Sequence, residues 1–175
     1  MREMIHRLED YLIPIGQVTI ASAALEEVVI RWGALLAGDD VADTRYRNLT
    51  RGMENNLSFL ADRVKERVSV TNQQPVLDMI ERARTLKNRR NENIHGVWGE
   101  MINADTDEFV KVARSRHEKD RSTRSTRWDF SVPTVAELNV LARDLRAIAL
   151  ELNERIADLW DIDEDIVLWR YGRGY

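Results

Sequence analysis

A chain of 175 residues, 43% hydrophobic and 32% charged with only 3 Pro and 8 Gly, has the composition of one largely helical globular domain, which excludes a disordered or fibrous protein. It contains no Cys, which excludes disulfide staples, thiolate catalysis and Cys-based zinc sites and makes a reducing cytoplasm the natural compartment. The net charge of −4 excludes a protein that coats nucleic acid nonspecifically, yet leaves room for a local basic site.

No apolar run reads as long enough to span a bilayer, because Gln17, Glu26, Glu27 and Arg31 interrupt the richest stretch, Ile13 to Leu36. The start, Met1-Arg2-Glu3-Met4, carries an acid early and lacks an apolar signal core, so export is not expected. A short helix is expected from Arg2 to Leu12, with Met4, Ile5, Leu8 and Leu12 on one side and Pro14 marking a joint. A longer helix follows from about Ile15 to Leu36. Its apolar positions, Val18, Ala21, Leu25, Val28, Val29, Trp32, Leu35 and Leu36, cover more than a single stripe, as for a helix buried on two sides, and Gly38-Asp39-Asp40 ends it.

From about Thr44 to Val68, Tyr46, Leu49, Met53, Leu57, Leu60, Ala61 and Val64 recur at steps of three and four and predict a third helix with a weak point at Gly52. Asn72-Gln73-Gln74-Pro75 reads as a break and restart, since proline fits the first turn of a helix. The fourth helix then carries the stripe Val76, Met79, Ile80, Ala83, Leu86, and the series continues onto Arg90. After Gly96 the periodicity changes. Val97 to Ile102, Glu108 to Ala113 and Thr126 to Val132 read as strands, with Asn103 to Asp107 as a turn, giving a β insertion over about residues 97–132 in which His117 to Ser125 is an exposed excursion. Thr134-Val135-Ala136-Glu137 has capping-box spacing and starts a last long helix to about Trp160, with the seam Leu138, Leu141, Leu145, Ile148, Leu152, Ile156 and Leu159. A tail from about 161 to 175 mixes acids with Trp169, Tyr171 and Tyr175, whose aromatics would dock on the bundle or on a second subunit.

The chemistry concentrates in Arg89-Arg90-Asn91-Glu92-Asn93-Ile94-His95-Gly96, at the end of the fourth helix. Arginine is a permanently charged fork suited to phosphate, and histidine exchanges its proton near neutrality, so the pair can bind and cleave a phosphodiester without a metal. Arg90 falls where packing alone would favour a hydrophobe, and a buried guanidinium needs a partner or an anionic ligand. Asn91 and His95 share a helix face, whereas Arg90 and His95 differ by roughly 140° around an ideal helix. Their convergence therefore requires the helix to fray at His95, as Gly96 permits, or a second subunit to supply the complementary residue. The competing reading is structural: Arg90 pairs with a neighbouring acid, and His95 bonds near a helix end whose dipole favours cations.

Arg90-Asn91-Glu92-Asn93-Ile94-His95 resembles the R-x4-H motif, with asparagine after the arginine, of the HEPN superfamily (higher eukaryotes and prokaryotes nucleotide-binding domains). The order of elements from Ile15 to Trp160 is also similar: a long early helix carrying Leu25-Glu26, a later helix ending in the motif and His-Gly, and a final long helix. The resemblance implies a mainly α, HEPN-like helical bundle, here with a small β ribbon before the last long helix. It also implies a homodimer whose two motifs face one cleft, and a metal-independent endoribonuclease of the kind found in toxins and phage defence, restrained by an antitoxin or regulatory protein. Arg90 would hold the scissile phosphate and His95 would be the general acid or base that promotes attack by the ribose 2′-hydroxyl or protonates the leaving oxygen. Asn91 would orient the histidine or the phosphate, with no cofactor. The family subgroup with a tyrosine two residues after the histidine is not matched, because Val97 stands there, which counts against a paired nucleotidyltransferase. The other function considered is a noncatalytic helical module that dimerises and binds a nucleotide or RNA.

Between Lys111 and Arg127, seven cations face only Glu118 and Asp120, so Lys111, Arg114, Arg116, Arg124 and Arg127, with Arg89 and the adjacent Trp128, are candidate RNA contacts. A solvated hairpin is the plainer account of such a run. His6, His95 and His117 are too dispersed for a zinc site, and the acids from Asp161 to Asp165 lack the pattern of a calcium loop.

Overall fold

The computed structural model describes residues 7–38, 52–95, 97–119, 126–129 and 132–160. Among these the chain forms helices α1 (Leu8–Ala37), α2 (Gly52–Arg67), α3 (Val70–Ile94) and α4 (Val135–Trp160), with strands β1 (Val97–Ile102), β2 (Phe109–Lys119) and β3 (Thr126–Asp129) between α3 and α4. The fold is mainly α, with a small antiparallel sheet before the last long helix, as the sequence leads one to expect.

Helix α1 runs unbroken through Pro14, so the expected joint there is absent. Proline lacks the N–H that would bond the carbonyl of Asp10. Its ring is buried, and so are Tyr11, Val18, Ala21, Leu25, Val28, Val29 and Trp32 along the same helix, whose packing offsets the lost bond. By length and composition alone α1 would suffice to cross a membrane, contrary to the sequence expectation; 39% of its most apolar window is buried within the protein. The helix ends at Gly38, whose φ of 73° supplies the left-handed residue that closes a helix and whose N–H donates to the carbonyl of Leu35 at 3.1 Å.

The expected restart at Pro75 is displaced too. Helix α3 begins at Val70, and Pro75 lies inside it. The break falls at Ser69, whose carbonyl accepts from Asn72 and Gln73, while the Gln73 side chain donates back to the carbonyls of Lys65 and Val68 at 3.0 and 2.8 Å. Gln73 thus satisfies two acceptors that the end of α2 leaves open, and this fixes the corner locally.

The described residues fall into two compact units, one drawn from Met1–Ser22 and Leu86–Asp144, the other from Ala23–Thr85 and Leu145–Tyr175. In the second unit, side chains link the helices in a closed circuit. Arg31 and Trp32 of α1 both donate to Oδ1 of Asn153 on α4, and Arg82 of α3 bonds Glu151 on α4. Arg84 of α3 bonds Glu54 on α2, and the buried Asn56 of α2 donates to Glu26 on α1. Inside this circuit Leu25, Leu57, Leu60, Ile80, Leu145, Ile148, Leu152 and Ile156 are fully buried.

The first unit holds the sheet, in the order β1-β2-β3. Cross-strand pairs run from Val97 with Ser115 to Met101 with Lys111, after which the register shifts so that Ile102 faces Phe109 and Val110 bulges. In the turn, Oδ1 of Asn103 accepts from the N–H of Asp105, and Asp107 adopts a φ of 57°, a conformation aspartate tolerates. Strand β2 extends to Lys119 and pairs with β3 through His117 opposite Trp128, so part of the expected loop is strand. The capping box forms as expected: Glu137 Oε2 accepts from the N–H of Thr134 at 2.7 Å, and the Thr134 hydroxyl accepts from the N–H of Glu137 at 3.1 Å. Residues 1–6, 39–51, 96, 120–125, 130–131 and 161–175 lie outside the described residues, and with them the expected first turn from Arg2 with Met4 and Ile5, the helical turns of 44–51, part of the third strand toward Val132 and the aromatic tail.

Candidate active site

The last turn of α3 carries Arg90 and Asn91, and His95 follows directly after the helix. The N–H of His95 still donates to the carbonyl of Asn91 at 3.2 Å, so the chain keeps its helical path up to this residue. The long Arg90 side chain closes the remaining angle. Its Nη1 lies 2.8 Å from Nε2 of His95 and 3.1 Å from Oδ1 of Asn91. All three motif side chains therefore converge within one chain, without helix fraying and without a second subunit to bring them together.

A guanidinium only donates, so for this contact to be a hydrogen bond Nε2 of His95 accepts, which puts the ring proton on Nδ1. Asn91 presents its carbonyl oxygen to the same nitrogen of Arg90. Neither contact neutralises the guanidinium. Among the described residues Arg90 makes no ion pair, and its Nε is buried without a hydrogen-bond partner. The structural reading, in which Arg90 pairs with an acid, thus finds no such partner among the described residues.

Arg90 is half-buried and His95 exposed, which places the reactive imidazole in reach of solvent at the end of a guanidinium held partly out of water. A half-buried cation with no carboxylate partner among the described residues can take an anionic ligand, and an imidazole beside it can exchange a proton.

Trp98 on β1 packs against the buried Tyr11 of α1, with ring centroids 5.4 Å apart and planes inclined at 46°. Burial, reinforced by the charge of Asp10, holds the Tyr11 hydroxyl above its ordinary pKa. The start of α1 is tied to the same strand, because the N–H of Leu8 donates to Glu100 at 3.1 Å. Arg89 lies 3.9 Å from Asp144 of α4.

The candidate RNA contacts separate into different kinds. Lys111 is exposed on β2. Arg114 is buried, only 3% exposed, and its Nη1 donates to the carbonyl of Glu92 in the motif itself, so it is a packing residue rather than a surface contact. The signal was present in the sequence: Val112 and Arg114 are two residues apart on a strand and so share a face, and Val112 is also buried. For Arg116, Arg127 and Trp128 only the strand positions are described, with Arg116 opposite Asp129 and Arg127 opposite Glu118. Arg124 lies outside the described residues.

A separate hollow of about 310 Å³ between α2 and α3 is lined by Ser58, Asp62, Lys65, Leu77, Glu81 and Arg84 among others. Its charges are matched internally, Arg84 by Glu54 and Glu81 and Lys65 by Asp62, so it presents no unanswered group to a ligand. Among the described residues no group of three or more His, Asp or Glu side chains is placed to hold a metal ion. No family model, curated protein sequence or solved structure matches the chain.

Proposed function

We propose that the protein is a HEPN-type endoribonuclease that cleaves RNA through attack of a ribose 2′-hydroxyl on the adjacent phosphorus, with Arg90 and His95 as the working pair. The observation that carries this reading is the 2.8 Å contact between the His95 imidazole and a guanidinium that no carboxylate among the described residues neutralises. Arg90 binds the phosphate and stabilises the charge that grows on its oxygens in the transition state. Once the phosphate takes over the guanidinium, Nε2 of His95 is released as the base that accepts the 2′-hydroxyl proton. The protonated imidazole can then return a proton to the departing 5′-oxygen. Asn91 holds the arginine in line through its carbonyl oxygen. The Arg90 and His95 side chains need no metal for any of these steps, and a cytoplasmic homodimer acting in toxin or phage-defence biology under a restraining partner belongs to the same proposal. The exposed apolar side chains Leu12, Ile13 and Ile20 on α1 support a subunit contact.

Purified protein incubated with RNA in EDTA is expected to cleave it, and Arg90→Ala and His95→Ala are each expected to lower the rate by about 100-fold or more. Cleavage at the wild-type rate by His95→Ala would overturn the role given to the histidine. The noncatalytic reading predicts instead that RNA is bound by the wild type and never cut.

A further inference from the structure

The buried arginine of the sheet is the feature that the reaction scheme leaves unused. Burying a guanidinium is costly, and an apolar residue beside Val112 would pack without that cost. Arg114 nevertheless occupies the site and spends Nη1 on one backbone oxygen, the carbonyl of Glu92. That carbonyl belongs to the last turn of α3, between Asn91 and His95, where helix carbonyls lose their intrahelical donors. A cation at this end also answers the negative pole of the helix.

The topology makes this bond a closure. The chain leaves α3 at His95 and enters β1 at Val97; β1 pairs with β2, placing Trp98 opposite Arg114; and Arg114 returns to Glu92, three residues before His95. The motif is therefore held from both sides: by the helix on one and by the sheet on the other. A short ring of this kind leaves His95 little freedom to turn away from Arg90.

We infer that Arg114 is a positioning residue for the Arg90–His95 pair, and that the β insertion serves to lock the end of the motif helix through it. The inference rests on the proposed ribonuclease for its catalytic consequence, but its structural content stands without that reading. Removing the donor frees the last turn of α3, loosens the contact of His95 with Arg90, and shifts the balance of its ring tautomers away from the Nδ1-protonated form. A displacement of about 1 Å at a catalytic group can cost on the order of 100-fold in rate. Because the phosphate is held chiefly by Arg90, the loss falls on kcat more than on KM.

The test compares wild type with Arg114→Met, which keeps the stem and removes the donor, and Arg114→Lys, which keeps a donor. Should Arg114→Met fail to fold, Arg114→Gln, polar but too short to reach Glu92, takes its place. The first readout is the ring-nitrogen NMR spectrum of His95, assigned with His95→Ala. Wild type is expected to show the tautomer protonated on Nδ1, Arg114→Met a smaller share of it, and Arg114→Lys a partial return. The second is RNA cleavage in EDTA, where Arg114→Met is expected to lower kcat by about 10-fold to 100-fold with KM little changed. An altered His95 tautomer in Arg114→Met, together with no RNA cleavage by the wild type, would uphold the positioning role and remove the ribonuclease. A folded Arg114→Met or Arg114→Gln protein with the wild-type tautomer and wild-type kcat would overturn the inference.

Discussion

Two arginines on helix α3 meet opposite fates. Arg84 is matched twice, by Glu54 of α2 at 2.6 Å and by Glu81 of its own helix. Burial works against its charge, but the hydrogen bonds and charges of the two glutamates outweigh that effect and raise its pKa. Arg90 makes no ion pair among the described residues and bonds instead to the amide oxygen of Asn91 and a ring nitrogen of His95. An arginine surrounded by carboxylates is a fastener, and adding an anion there would cost the existing pairs. An arginine held by neutral acceptors keeps its charge available. On the proposed function, the same side chain is a fastener at one place on the helix and a phosphate ligand at the other, and the surrounding charges make the difference.

Exchange experiments can break or sharpen that contrast. The largest effect is expected at the motif: Arg90→Ala and His95→Ala each lose about 100-fold or more in RNA cleavage while thermal unfolding changes little, because one is half-buried and the other exposed. Arg90→Lys keeps the charge but not the planar fork, and is expected to lose about 10-fold or more in kcat at unchanged stability. Arg84→Ala should do the reverse: cleavage stays within about two-fold of wild type, and chemical unfolding shows a loss of about 0.2–1 kcal/mol, as for partly exposed ion pairs. If Arg84→Ala instead abolished cleavage, the division between the two arginines would fail.

The smallest effect concerns the start of α4. Thr134→Ala removes a cap that accepts from the N–H of Glu137, and denaturant unfolding should show a loss of about 1 kcal/mol. Backbone and side-chain hydrogen bonds from Thr134, helped by the charge of Arg89, hold the Glu137 carboxyl below its ordinary pKa. A depressed carboxyl stabilises the fold fully above the ordinary glutamate value and loses that contribution as pH falls through its own lowered value. Stability should therefore fall more steeply with acid in wild type than in Glu137→Gln, by a small amount because the group is exposed.

Local chemistry made much of this molecule legible beforehand. The capping box at Thr134, the turn at Asn103 and the seam of α4 each rest on interactions within a few residues, and all form where the spacing puts them. Arg90 also stood out because it interrupts an apolar series. The prolines misled for a physical reason: Pro14 is carried through α1 by burial that only the tertiary structure supplies, and Ser69 with Gln73, rather than Pro75, makes the corner before α3. Angular distance on an ideal helix overstated the separation of Arg90 and His95, since it ignores the reach of a long side chain. The bond from Arg114 to Glu92 crosses from strand to helix, and no pattern along the chain encodes which backbone oxygen a buried cation will find.

The central claim is that the free charge of Arg90 and the neutral imidazole of His95 together turn over a phosphodiester. Its most direct measurement is the chemistry of the ends left when purified protein meets a short RNA in EDTA, beside the same RNA with one 2′-deoxy substitution at the cleaved position. The account predicts a 2′,3′-cyclic phosphate on the upstream fragment, no cleavage at the deoxy position, and loss of the product with His95→Ala. A 3′-hydroxyl end, or cleavage that survives the 2′-deoxy substitution, would contradict it.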